Sequence, residues 1–179
     1  MISEKVIAAV RCENDFEVAL KSDCDVIFWL SPSVLTLSEM LKKCREAAKK
    51  LFVHIDLMEG IGKDRAGIHL LGRMRIDGII STRSNLIKIA KEEGIFTVQR
   101  FFLVDNKSLS TTVETVKQSK CDVAEIMPGV LPKVVRYLKN ELSTPIIAGG
   151  LIETEDEIKA AIESGAITIS TGKKEFWNR

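Results

Sequence analysis

Short apolar, β-branched runs alternate with helix-like stretches along the whole chain. That rhythm constrains the fold more than any single motif. Val6–Val10 is the first run, and Asn14–Lys21 after it reads as a short helix with Asp15 and Glu17 in its first turn. Asp25–Leu30 reads as a buried strand. Leu37, Met40, Leu41, Cys44, Ala47 and Ala48 then recur at helical spacing, with Thr36 and Glu39 spaced as a capping box. Leu51–Leu57 is strand-like, and the loop Glu59–Asp64 and a weaker helix Arg65–Arg73 follow. Gly78–Ser81 is a very short strand, and the helix marked by Leu86, Ile87, Ile89 and Ala90 is closed by Gly94. Phe96–Val104 and Val123–Met127 read as strands, with Ser108–Lys120 helical between them. Pro132 starts the helix Lys133–Leu142, a favoured place for proline. Pro145–Gly150, a helix from Thr154 and Ala166–Gly172 complete the series, with Thr154 and Glu157 spaced as a second capping box.

Strands that alternate with helices make right-handed βαβ units and a parallel sheet. Eight units point to closure as a (β/α)8 barrel of the TIM type. Such barrels usually run to about 250 residues, so a chain of 179 must be a compact version with short helices. The weak first, third and eighth helices suit that. The competing fold is an open doubly wound sheet. No domain boundary, linker or low-complexity stretch interrupts the pattern, so residues 1–179 are expected to form a single domain.

The formal net charge of +1 gives no overall pull toward nucleic acid or membrane, though a local basic face stays open. No apolar run approaches the roughly 20 residues that span a bilayer. Met1–Lys5 lacks a basic region followed by a long apolar stretch, so no signal peptide is expected. Cys12, Cys24, Cys44 and Cys121 form no C-x-x-C pair, and reduced thiols in a cytoplasmic protein are expected rather than disulfides or a metal site.

Two runs end abruptly in glycine: Pro145-Ile146-Ile147-Ala148-Gly149-Gly150 and Ala166-Ile167-Thr168-Ile169-Ser170-Thr171-Gly172. They are the last two strands of the series. In barrels the turns after these strands often cradle a phosphate, because glycine lets backbone N–H groups approach an anion and a short helix beyond can aim its N-terminus at it. Gly149, Gly150, Thr171 and Gly172 are the candidate cradle, and Lys173 or Lys174 could neutralise a dianion. Plain turn punctuation is the alternative reading.

Three further groups could carry chemistry. His54 and Asp56 lie two apart on one strand and so point to the same face. Asp56, near the strand's C-terminal end, could bind a polyol or act as a base, whereas His54 is either a ligand contact or a satisfied core histidine. Glu125 lies inside an apolar strand and needs a partner there. Arg100 on the preceding strand is the natural one, so the two are either ligand contacts or a structural ion pair. Arg83 would stand at the same mouth, unless it is only a solvated residue beside a helix cap. Gly60-Ile61-Gly62-Lys63 is not a Walker loop, because Asp64 stands where Ser or Thr is required. No zinc spacing, nucleophile–base pair or G-x-S-x-G elbow is visible.

These residues together resemble the glycerol-3-phosphate-responsive antiterminators, bacterial regulators of glycerol uptake operons. The likeness covers nearly the whole chain. It is densest in Phe52-Val53-His54-Ile55-Asp56-Leu57, Gly78-Ile79-Ile80-Ser81-Thr82-Arg83-Ser84 and Gln99-Arg100-Phe101-Phe102-Leu103. It continues in Glu125-Ile126-Met127-Pro128-Gly129, Ala148-Gly149-Gly150 and Lys174-Glu175-Phe176-Trp177. The resemblance implies a barrel that binds glycerol 3-phosphate and, when loaded, acts on leader mRNA so that transcription passes a terminator.

On that reading the phosphate rests on Gly149, Gly150, Thr171, Gly172 and Lys173. Asp56 and Glu125 hold the hydroxyls, with Arg83, Arg100 and His54 as further polar contacts. The protein is then a sensor and not an enzyme, with no cofactor or metal. Its partners are the effector and leader mRNA, with no membrane, and a homo-oligomer stays open. Lys133, Arg136 and Lys139, spaced by three on one helix, are the candidate RNA contacts, against the alternative of a solvated helix face. A barrel enzyme acting on a small phosphorylated substrate remains the rival function, as isomerase, aldolase or in glycerophosphodiester or phosphoglycerol chemistry, with Asp56 and Glu125 as its acid and base.

Overall fold

The computed structural model describes residues 6–178; Met1–Lys5, on which the leader-peptide reading rests, and Arg179 lie outside them. The strands are β1 (Ile7–Val10), β2 (Val26–Trp29), β3 (Lys50–His54), β4 (Gly78–Ser81), β5 (Phe96–Phe102), β6 (Val123–Met127), β7 (Ile146–Gly149) and β8 (Thr168–Thr171). Between them run α1 (Glu13–Leu20), α2 (Val34–Glu46), α3 (Arg65–Arg73), α4 (Ser84–Glu92), α5 (Asn106–Ser119), α6 (Pro132–Glu141) and α7 (Glu155–Glu163). Each strand pairs in parallel with the next, and β1 also pairs with β8, Ile7 opposite Ser170 and Ala8 opposite Thr171. That last pairing makes the sheet a closed (β/α)8 barrel and rules out the open doubly wound alternative.

Strand alternation divides the apolar residues into two layers. One set fills the barrel interior, including Ile7, Val26, Phe28, Phe52, Ile80, Val98, Val123 and Ile147. The opposite set faces the helices and forms the larger core. In the interior, Phe52 sits between Phe28 and Phe96, with ring centroids 5.6 Å apart on each side. Gly78 makes this possible, because a Cβ there would stand 2.3 Å from the Phe52 ring. Compactness comes from the helices, which are 8 to 14 residues long. The eighth is a single 3-10 turn, Lys174–Phe176.

Local details depart from the sequence reading where side chains bond the backbone. The strand expected over Leu51–Leu57 stops at His54, and Ile55–Leu57 is a 3-10 turn. Asp56 lies in that turn, and its carboxylate accepts hydrogen bonds from Ser81 and Thr82. Helix α2 begins at Val34 with Ser33 as cap, so Thr36 and Glu39 are already inside it and form no box. Helix α5 starts two residues earlier than expected, on a reciprocal Asp105/Ser108 cap. The Thr154/Glu157 box and Pro132 at the start of α6 are present. The loop Glu59–Asp64 is pinned, with Glu59 paired to Pro32 and Val34, and Lys63 Nζ donating to the Met58 and Ile61 carbonyls.

All four cysteines are free thiols, and Cys24, Cys44 and Cys121 are buried. Burial pushes Cys44 up to about 12 and Cys121 to about 11. No helix among the described residues is long and apolar enough to cross a membrane.

Candidate functional site

The C-terminal ends of the strands open onto one face, where the loops of a barrel gather ligand-binding groups. A cavity of about 230 Å³ lies there, lined by Ala9, Arg11, Leu30, Arg100, Met127, Gly150, Leu151, Ser170, Thr171 and Gly172. It is small against the 300–1,000 Å³ typical of drug-sized ligands, and so suits a molecule of only a few carbons. Its wall at the end of β7 has an unusual backbone. Gly150 and Leu151 both have positive φ, +76° and +59°, a conformation that costs glycine little and leucine more.

The floor is a buried polar network. Arg100 and Glu125 face inward from β5 and β6, where the two residues are paired in register. Glu125 is fully buried and Arg100 is 6% exposed. A carboxylate so placed is tolerable only when paired. Arg100 Nε donates to Glu125 Oε2 at 2.6 Å, and Ser170 Oγ donates to Oε1 at 2.6 Å. Among the described residues, two buried side-chain nitrogens have no partner: Arg100 Nη2 and His54 Nδ1. Burial, and then the nearby Arg100 charge, lower the pKa of His54 against the opposing pull of Asp56 and Glu125, which favours the neutral imidazole.

The other expected residues are dispersed. Gly149 is the last residue of β7, but a Cβ there would stand 2.5 Å from Ser170 Oγ and 2.8 Å from Glu125 Oε1. Its glycine therefore makes room for the carboxylate. Thr171 lines the cavity while its hydroxyl donates to the Ile152 carbonyl and accepts from Lys173 N–H. Lys173 Nζ reaches the Glu153 carbonyl at 2.9 Å and Glu175 at 3.3 Å, and is not part of the lining. The 3-10 turn beyond β8 is too short to present a helix N-terminus to an anion.

Asp56 and Arg83 stand on the β3–β4 side, outside the lining. Asp56 accepts from Ser81 Oγ, Thr82 N–H and Thr82 Oγ1 at 2.7, 2.7 and 2.8 Å. Burial alone would raise its carboxyl, but these bonds more than offset it and the value falls below the ordinary range. Arg83 Nε lies 3.8 Å from Asp56 and the side chain is half exposed. Lys133, Arg136 and Lys139 project from α6 on the outside of the barrel and are exposed.

Sequence reasoning missed Arg11, Met127, Leu151 and Ser170. Arg11 and Ser170 were within reach of a period-two count, which puts Arg11 on the face of Ile7 and Ala9, and Ser170 on that of Thr168. Among the described residues no group of three or more His, Cys, Asp or Glu side chains is placed to hold a metal.

A protein of Escherichia coli strain K12, Uncharacterized protein YgcP, is 37% identical over 173 residues, 96% of this chain and 91% of that protein. The crystal structure of the glycerol uptake operon antiterminator regulatory protein of Listeria monocytogenes str. 4b F2365 superposes with a TM-score of 0.92 at 34% identity, covering 97% of this chain and 94% of that one. A glycerol uptake operon antiterminator-related protein of Thermotoga maritima MSB8 gives 0.87 at 31% identity, covering 99% of each chain. At 16% identity and a TM-score of 0.73, orotidine 5'-phosphate decarboxylase of Pyrococcus horikoshii OT3 shares the fold, over 97% of this chain and 92% of that one. A family model described as glycerol-3-phosphate responsive antiterminator matches residues 6–177, and the chain belongs to that family.

Proposed function

We propose that this protein senses glycerol 3-phosphate at the barrel mouth and that the loaded form acts on the leader mRNA of a glycerol-utilisation operon, in the cytoplasm, to carry transcription past a terminator. One observation supports the effector site above all. Arg100 Nη2 is buried without a partner at the edge of a cavity of about 230 Å³. An orphaned charged donor is expensive to bury, and a phosphate oxygen would satisfy it. Arg11, the residue after β1, adds a second cation to the wall. His54 Nδ1 is also unpartnered, but it is buried and outside the cavity lining.

Sensing fits the site better than turnover. An acid/base pair needs carboxyls free to exchange protons with substrate. Both oxygens of Glu125 and both of Asp56 are already engaged. Effector binding shifts the protein toward an RNA-competent state only by as much as the effector prefers that state. The output face we assign is α6. Lys133, Arg136 and Lys139 are exposed there, and Tyr137, 44% exposed, supplies an aromatic surface among them.

Calorimetry with glycerol 3-phosphate against glycerol tests the effector, with measurable heat expected for the phosphate alone. Equal, negligible heats would sink the reading. Gel-shift titration of the leader transcript, with and without the effector, tests the output.

A further inference from the structure

A guanidinium and a carboxylate ordinarily meet as a fork, with two parallel N–H···O bonds. Arg100 and Glu125 do not. Only Arg100 Nε donates to Glu125, through Oε2. Oε1, the oxygen that would complete the fork on Nη2, instead accepts from Ser170 Oγ at 2.6 Å, which draws the carboxylate toward β8. Nη2 is left buried and unpaired beside the cavity, whose lining includes both Arg100 and Ser170. The arrangement needs space at position 149, where a Cβ would stand 2.5 Å from Ser170 Oγ and 2.8 Å from Glu125 Oε1.

We propose that Ser170 and Gly149 are positioning residues that hold the Glu125 carboxylate off Arg100 Nη2, reserving this donor for a phosphate oxygen of the ligand. The proposal rests on the reading of the mouth as an anion site and adds how that site is kept open. Glu125 then touches no ligand. It neutralises one edge of the guanidinium and leaves the other charged and directional. Ser170 decides which edge.

The substitutions follow from hydrogen-bond chemistry. Ser170→Ala removes the hydroxyl that draws Oε1 aside, so the carboxylate can turn and close the fork over Nη2. Ser170→Thr keeps a hydroxyl in place. Ser170→Ala combined with Glu125→Gln cannot close the fork, because an amide has a single acceptor oxygen and its NH2 group repels a guanidinium N–H. Binding lost in the single variant should therefore return in the double one. A residue that only stabilised the fold would give the opposite result, with the double variant no better than the single.

The experiment is calorimetry on the full chain with two probes, glycerol 3-phosphate and inorganic phosphate, with a melting curve for each variant. Ser170→Ala is expected to bind both probes at least about tenfold more weakly, the scale of one charged hydrogen bond. Ser170→Thr and the double variant are expected within about threefold of the parent. Gly149→Ala displaces the same two oxygens by a different route, and a folded sample should lose phosphate affinity likewise, so either single variant decides. Parent-like binding by Ser170→Ala, or a double variant as weak as it, overturns the proposal. A parent protein that binds phosphate in this variant order, but not glycerol 3-phosphate, overturns only the effector assignment. One that binds neither overturns both.

Discussion

Asp56 accepts both the backbone N–H and the hydroxyl of Thr82, at 2.7 and 2.8 Å. Asp122 holds Thr97 in the same two-point grip, at 2.9 and 2.7 Å. The first clasp ties the end of β3 to the end of β4 at the mouth. The second ties the start of β6 to the start of β5 at the opposite face.

Both clasps carry a pH dependence. In each, burial opposes ionisation, but the hydrogen bonds, and for Asp122 the Lys91 ammonium, leave the pKa below its ordinary value. The unfolded chain, with aspartate near about 3.9, therefore takes up protons before the folded one does. The stabilisation is complete above that value and is lost as pH falls through the lowered folded one. The urea midpoint is expected to fall steadily between about pH 5 and pH 2. Asp122→Asn should be less stable at pH 7 and show a shallower acid slope. An Asp122→Asn slope equal to the parent's would contradict this.

Trp177 ties the segment after β8 to the turn between α1 and β2. It is 1% exposed, its Nε1 donates to the Thr171 carbonyl at 3.0 Å, and its own carbonyl accepts from Asp23 N–H at 3.0 Å. Trp177→Ala should cost about 3–5 kcal/mol, the range for truncating a buried aromatic. Equilibrium denaturation measures it, and a loss under about 1 kcal/mol would show that the closing seam does not depend on this side chain.

Charge recognition should follow Arg100 rather than Lys173. Arg100→Gln removes the orphaned cationic donor and is expected to weaken glycerol 3-phosphate at least about tenfold. Lys173→Ala should stay within about twofold, because its ammonium is already engaged with Glu153 and Glu175. The reverse order by calorimetry would return the phosphate to the glycine-and-lysine cradle.

On α6, Arg136→Glu is expected to weaken leader RNA and lower the salt slope by about one or two. Tyr137→Ala should cost about 1–3 kcal/mol if bases stack on it. Glycerol 3-phosphate affinity should be untouched in both, since α6 lies outside the cavity lining. Parent-like RNA binding in both variants would remove this face from consideration.

The barrel was legible because its signals are local and repeated. Eight apolar runs, a proline at the first turn of α6 and the Thr154/Glu157 box each act within a few residues of themselves. The Arg100–Glu125 pair was legible for a related reason: a buried carboxylate must find a cation, and the adjacent strand offers one. Gly149 was visible as a glycine but not for its reason, which is a contact with Glu125 and Ser170 on the two neighbouring strands. Lys173 looked free because nothing local shows a long side chain bending back to a carbonyl twenty residues earlier in the chain.

The sequence by itself therefore determined the element order, the parallel handedness and the end of the barrel where ligands gather, since hydrophobic period and turn chemistry are properties of short segments. Whether the sheet closes, which glycine makes room for a carboxylate and which nitrogen of Arg100 stays unpaired were decided by tertiary structure. Each depends on distances between residues far apart in the chain, and those distances exist only once the strands are paired and curved into the barrel.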